Sequence, residues 1–145
     1  MKRKANGIWN GSTKEGSGKL TGPSGVLDKT PYSFKARFEN EDGKLGTNPE
    51  ELIAAAHAGC FNMALSVALG EEGFKPDELN TDATVKLEKT DGGFEITSIE
   101  LKLAAKVPEI EESKFKELAQ GAKEGCPISK ALKAVPMELK IEFKN

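Results

Sequence analysis

The longest apolar stretch of the chain runs from Asn48 to Gly70, NPEELIAAAHAGCFNMALSVALG. Between its ends it is almost free of charge, which predicts one helix buried on most of its sides. Asn48 suits an N-cap and Pro49 the first helical position, while Glu50 and Glu51 suit the positive end of the helix dipole. Gly70 is a natural stop. At about 100° per residue, Ile53, Ala56, Cys60, Met63, Ala64 and Val67 share one stripe, with His57 on its edge. Ala54, Ala55, Ala56, Ala58 and Gly59 keep the middle of the helix thin, so another backbone can come close.

On either side the period changes. Residues 1–46 read as strands joined by turns. Gly7 to Gly11 is a short strand with a glycine at each end, and the glycines from Gly16 to Gly25 mark turns. Tyr32, Phe34, Ala36 and Phe38 alternate with Ser33, Lys35, Arg37 and Glu39, the period of a strand, which puts Arg37 opposite the aromatics. Beyond the helix, Ala83, Val85 and Leu87 alternate with polar residues, and Asp91-Gly92-Gly93 signals a hairpin. Phe94 and Ile96 keep one phase and Ile99, Leu101, Leu103 and Ala105 the other, so a β-bulge is expected near Thr97-Ser98. Pro108 to Lys123 has the spacing of an amphipathic helix, through Ile110, Phe115, Leu118, Ala119 and Ala122. Gly125-Cys126-Pro127 breaks it and a short helix, Ile128 to Ala134, follows. Val135, Met137, Leu139, Ile141 and Phe143 make a final strand. The class is α+β, with mostly antiparallel sheets around a long buried central helix. No repeat or linker divides residues 1–145, which read as one domain.

Composition narrows the function. In 145 residues there are 21 basic and 23 acidic side chains, a net charge of −2. No basic block points to nucleic acid. No apolar run approaches the length of a membrane span, and the N-terminus MKRKANGIWNG lacks the apolar core of a signal peptide. A soluble cytoplasmic protein is expected, with neither nucleic acid nor membrane as partner. Two cysteines are too few for a disulfide scaffold, and a single histidine gives little for a Cys/His zinc site. No metal and no other cofactor is expected. In a reducing cytosol two such thiols are either inert core residues or a working pair.

Cys126 stands where a helix N-cap should be, just before Pro127, where unpaired backbone N–H groups favour a thiolate. The bland reading is a cysteine that only packs at a helix start. Cys60 lies mid-helix, so an activator must come from elsewhere. Of the two arginines, Arg3 lies in a terminal segment and Arg37 shortly before the helix. A guanidinium stays charged when partly buried and presents a planar fork, so Arg37 could lower the pKa of Cys60 and bind a substrate oxygen. An ordinary surface salt bridge is its alternative. Glu50 and Glu51 are routine in a first turn, but Glu50 lies nearer the phase of Cys60. His57 is three residues before Cys60, within reach as a base, or simply a packed core histidine.

TNPEELIAAAHAGCFNMALS closely resembles the first signature of the OsmC/Ohr family of thiol peroxidases, and GCPISKAL resembles the second. SGVLDKTPYSFKARFE resembles the OsmC branch in particular. The similarity runs from about Trp9 to the C-terminus. It implies a cytoplasmic homodimer that reduces peroxides, organic hydroperoxides in many members, without metal or flavin. Cys60 matches the peroxidatic cysteine, which becomes a sulfenic acid. Cys126 matches the resolving cysteine, which closes a disulfide with it. Arg37 and Glu50 match the pair that activates the thiolate and orients the peroxide. The resemblance also implies regeneration by a dithiol reductant of the lipoyl type. Competing readings are a peroxide sensor using the same cysteines, and a small-ligand or lipid-binding dimer with bystander thiols.

Helix geometry adds an expectation about assembly. Glu50 and Cys60 are ten residues apart, about 15 Å along one helix, too far for a glutamate side chain to bridge. If both serve one site, they come from different chains. Antiparallel helices in an intertwined two-fold dimer, crossing near Ala55, would put Glu50 of one chain beside Cys60 of the other.

Overall fold

The computed structural model describes residues 1–144, in two compact units, Met1–Leu52 and the chain from Ile53 onward.

The first unit is a three-stranded antiparallel sheet in the order β1 (Asn6–Asn10), β2 (Ser17–Thr21), β3 (Thr30–Ser33), followed by a short helix, α1 (Phe34–Phe38). Gly18 lies inside β2, where only a hydrogen fits. A Cβ there would come within 2.4 Å of both the Ile8 carbonyl oxygen and the Tyr32 ring. This glycine serves close approach within a strand rather than a turn. Tyr32 donates its hydroxyl to the same Ile8 carbonyl at 3.1 Å and leans on Trp9, ring centroids 5.6 Å apart.

The expected strand through Phe38 is corrected here. After Ser33 the backbone turns helical, because the Ser33 hydroxyl accepts the Ala36 N–H at 3.0 Å as an N-cap. Phe34 and Phe38 pack against each other across one turn, their rings tilted and 4.8 Å between centroids. Their spacing fits both a strand period of two and a helical i,i+4 pair, and the cap decides between them. Arg37 is therefore not opposite the aromatics: its guanidinium lies 5.1 Å from the Phe38 ring centre.

A long helix, α2 (Pro49–Glu71), begins in the first unit and continues into the second. Asn48 caps it, its side-chain oxygen accepting the Glu51 N–H at 2.8 Å. Downstream come β4 (Glu78–Thr90), β5 (Gly93–Lys106), α3 (Glu112–Gly125), α4 (Pro127–Ala131) and β6 (Met137–Lys144). β4 and β5 form the expected hairpin, and their register slips so that Thr97 is the extra residue of a bulge. β6 pairs parallel to β5, which requires the α3–α4 crossover between them. Phe61, Leu65 and Leu69 of α2 pack with Ile99, Leu101 and Leu103 of β5 and Phe115 of α3 in one core. Asn62 ties α2 to β4 by accepting the Thr81 hydroxyl at 2.6 Å and donating to the Leu79 carbonyl at 3.2 Å.

Two expectations for α2 are corrected. Its buried stripe is His57, Phe61, Leu65 and Leu69, one residue per turn at i+4 spacing. The helix is not buried on most of its sides: along the stripe of Ile53, Ala56, Cys60, Met63, Ala64 and Val67, Met63 is 71% and Val67 60% accessible, Ala56 is exposed, and the other three are half-buried. The run is apolar all round, so composition could not tell its faces apart. α2 is also long and apolar enough to cross a membrane, contrary to the sequence expectation, with only 22% of its most apolar window buried.

Candidate active site

The first unit holds an ion pair. α1 presents Arg37 and the first turn of α2 presents Glu50. Nε donates to one carboxylate oxygen at 3.2 Å and Nη2 to the other at 2.7 Å, a two-pronged geometry that lysine cannot copy. Glu50 is the more enclosed partner, its side chain 12% accessible against 34% for Arg37. Glu51 is engaged elsewhere, accepting the Thr47 hydroxyl at 2.9 Å. Beside the pair opens a cavity of about 240 Å³, walled by Trp9, Tyr32, Phe34 and Phe38, with Arg37 on its lining. An apolar wall with one cation suits a molecule with an oily body and a polar head.

The second unit holds both thiols. Cys60 is half-buried on α2 and Cys126 fully buried between α3 and α4, both unbonded, their sulfurs 2.8 Å apart. A disulfide needs about 2.05 Å, so a shift of under an ångström closes one. Pro127 in the first turn of α4 donates no hydrogen bond, which leaves the next N–H groups to face the sulfurs.

The two thiols differ in acidity. Burial pushes the Cys60 thiol up, contact with Cys126 pushes it further, and only the Ile128 N–H works against them. At Cys126 burial also pushes upward. There the Cys60 thiol, the N–H groups of Ser129 and Ile128 and the Ser129 hydroxyl outweigh it and leave Cys126 below the usual thiol range. The sulfur makes no regular cap hydrogen bond as a thiol. Donors around it therefore matter most once it is an anion, when such bonds are roughly twice as strong. No cation lowers Cys60 among the described residues.

A family described as OsmC-like protein matches residues 41–140. This chain belongs to the OsmC family. It is similar to peroxiredoxin OsmC of Escherichia coli K12, 52% identical over 132 residues that cover 91% of this chain and 90% of that one. The organic hydroperoxide resistance protein OhrB of Bacillus subtilis is 33% identical over 129 residues, 88% of this chain and 90% of its own. The crystal structure of OhrB superposes with a TM-score of 0.67 at 31% identity, over 97% of this chain and 98% of that one. An OsmC-like protein from Mycoplasma pneumoniae, only 16% identical, shares the fold with a TM-score of 0.79, over 100% of this chain and 99% of that one.

Within this OsmC fold the four residues expected at the site fall into two pairs, Arg37 with Glu50 and Cys60 with Cys126. His57 is a buried core residue whose Nε2 lies 2.7 Å from Ser129 Oγ. Ser129 was not among the sequence candidates. The signal was its position three residues after the N-cap cysteine, the spacing at which a helix-start side chain turns back toward the cap. Among the described residues no group of His, Cys, Asp and Glu is arranged to hold a metal ion.

Proposed function

We propose that this chain is a cysteine-based peroxidase of oxidative-stress defence, with Cys60 as the attacking thiol and Cys126 as the resolving thiol. The contact between the two sulfurs carries the reading, in a chain half identical to a peroxiredoxin. The Cys60 thiolate attacks the distal oxygen of a hydroperoxide. The O–O bond breaks, Cys60 becomes a sulfenic acid, and the alkoxide leaves with a proton as the alcohol. Cys126 then attacks the Cys60 sulfur. The S–S bond forms, the S–O bond breaks, and water leaves. A thiol reductant restores both thiols; a dithiol of the lipoyl type suits an internal disulfide, which needs two thiols to open. Organic hydroperoxides are the preferred substrates, because the aromatic cavity beside Arg37 accepts an apolar tail, and hydrogen peroxide is a poorer one.

The chain acts as one domain and pairs as a two-fold homodimer in the cytoplasm. Two observations support the pairing. The exposed apolar stripe of α2 needs a cover, and a second copy supplies one without a membrane. Within its own unit no described cation favours the Cys60 thiolate, and the unit that holds the Arg37–Glu50 fork contains no cysteine. Bringing Glu50 of the partner subunit beside Cys60 completes both.

The test is turnover of cumene hydroperoxide and hydrogen peroxide with a dithiol reductant, and mass spectrometry of non-reduced peptides after one equivalent of peroxide. Catalytic turnover with an intramolecular Cys60–Cys126 link is expected. A protein that binds hydroperoxides without turnover, or links only Cys60 to Cys60 between chains, contradicts the reading.

A further inference from the structure

His57 is the single histidine of the chain, fully enclosed at the head of the buried stripe of α2. Its stripe neighbours are Phe61, Leu65 and Leu69, so packing alone asks for an apolar residue there. Burying an imidazole instead costs free energy unless its N–H is paired. The Nε2 is paired, 2.7 Å from Ser129 Oγ. The Nδ1 is the one buried side-chain nitrogen or oxygen without a hydrogen-bond partner among the described residues.

That asymmetry selects a tautomer. With the proton on Nδ1, a buried N–H is left without an acceptor, a loss of about 1–3 kcal/mol. The Ser129 hydroxyl would also have to spend its hydrogen on Nε2. With the proton on Nε2, the imidazole donates to Ser129 Oγ, and the serine hydrogen is free to point elsewhere. The group waiting for it is Cys126 Sγ, at the N-cap of α4 three residues before Ser129, whose thiol the Ser129 hydroxyl and N–H help hold below the usual range. Burial holds the pKa of His57 below the usual imidazole range, so it stays neutral and sets a direction rather than supplying a charge.

We infer that Ser129 is a catalytic residue of the disulfide-forming step, its hydroxyl donating to Cys126 Sγ, and that His57 is the positioning residue that turns it there. The inference rests on reading Cys126 as the resolving thiol. Cys126 gives up its proton to solvent, and the thiolate held by Ser129 attacks the sulfur of the Cys60 sulfenic acid. The S–S bond forms, the S–O bond breaks, and the departing hydroxide takes up a proton to leave as water. A thiolate ready when the sulfenate appears keeps Cys60 from a second peroxide and the irreversible sulfinate.

The experiment follows the two steps separately by stopped flow after mixing reduced protein with one equivalent of cumene hydroperoxide. In Ser129→Ala, sulfenate should form at the parental rate, while disulfide formation slows about tenfold or more, the size of one hydrogen bond to a charged group. Sulfinate at Cys60 should rise in step when excess peroxide is added. His57→Leu should show a smaller slowing of the same step, and His57→Gln, which keeps an N–H donor, should recover most of it. The second readout is the thiolate absorbance of Cys126 against pH in a Cys60→Ser background. Besides the Cys60 removed there, the titratable group facing Cys126 is His57, through Ser129. Its midpoint should move upward in Ser129→Ala. If that variant does not fold, His57→Leu carries both measurements alone. Parental disulfide rates in the folded variants overturn the inference. So does an equal slowing in His57→Leu and His57→Gln with an unmoved Cys126 midpoint, which would mean packing only. A parent that forms no Cys60–Cys126 disulfide at all speaks instead against the peroxidase assignment.

Discussion

The two units of this chain differ in the chemistry that each holds. Residues 1–52 hold a charged fork, Arg37 on Glu50, at the edge of an aromatic cavity, and contain no thiol. The unit from Ile53 holds two thiols in contact, one of them pushed toward its protonated form by burial, with no cation drawing it back among the described residues. A guanidinium without a nucleophile binds and polarises; a buried thiol without a cation stays a poor nucleophile. Ten residues of one helix span about 15 Å, more than a glutamate side chain bridges, so the sequence spacing of Glu50 and Cys60 does not by itself unite them. The homodimer proposed above would place one fork against the other chain's thiol.

The comparison can be broken most forcefully from the thiol side. Cys60→Ser should abolish turnover entirely, while Cys126→Ser should still reduce one equivalent of peroxide and then stop, as read by peroxide consumption. A first turnover sustained by Cys126 alone would reverse their roles. From the charged side, Arg37→Ala should lower kcat/KM by about a hundredfold, the scale of losing one charge-stabilising donor. Arg37→Lys should fall between, since an ammonium keeps the charge but not the two-pronged bond to Glu50. The alkylation rate of Cys60 against pH should shift to higher pH in Arg37→Ala; an unchanged profile would leave Arg37 no part in activating the thiol.

The smallest effect belongs to the second unit and concerns stability. His57 has a lowered pKa in the folded chain, so between that value and the unfolded one, about 6.5, the unfolded state binds more protons. Stability from this group is therefore complete above about pH 6.5 and falls as the pH drops toward the folded value. Thermal melts from pH 7.5 to 5 should show Tm declining over that range, and His57→Leu should flatten that part of the slope. A parental slope in the variant would assign the decline to carboxylates.

Much of this was legible in the chain itself. The cap at Asn48, the Asp91-Gly92 hairpin, the bulge beside it and the helix break at Cys126-Pro127 each have a local cause, and each is where the residues put it. Local causes also explain the misses. Phe34 and Phe38 satisfy two periods at once, and one hydroxyl, that of Ser33, tips the backbone into a helix. In α2 nearly every face is apolar, so the direction of burial depends on what β5 and α3 offer it, which no window of the helix contains. The site divides in the same way. The thiols and the fork were visible as residue types. Ser129, 72 residues from His57, became visible only when the fold brought the two side chains together.

The central claim, that one site is made from both halves of two chains, is tested most directly by mixing subunits. Cys60→Ser and Glu50→Ala homodimers should each have little or no peroxidase activity. In a heterodimer of the two, one composite site carries both lesions and the other carries neither. Activity should therefore reappear after subunit exchange and approach half that of the parent per dimer. Confirmed heterodimers that stay as inactive as their parents would contradict the account, placing Glu50 and Cys60 of the same chain at one site or leaving Glu50 outside the chemistry.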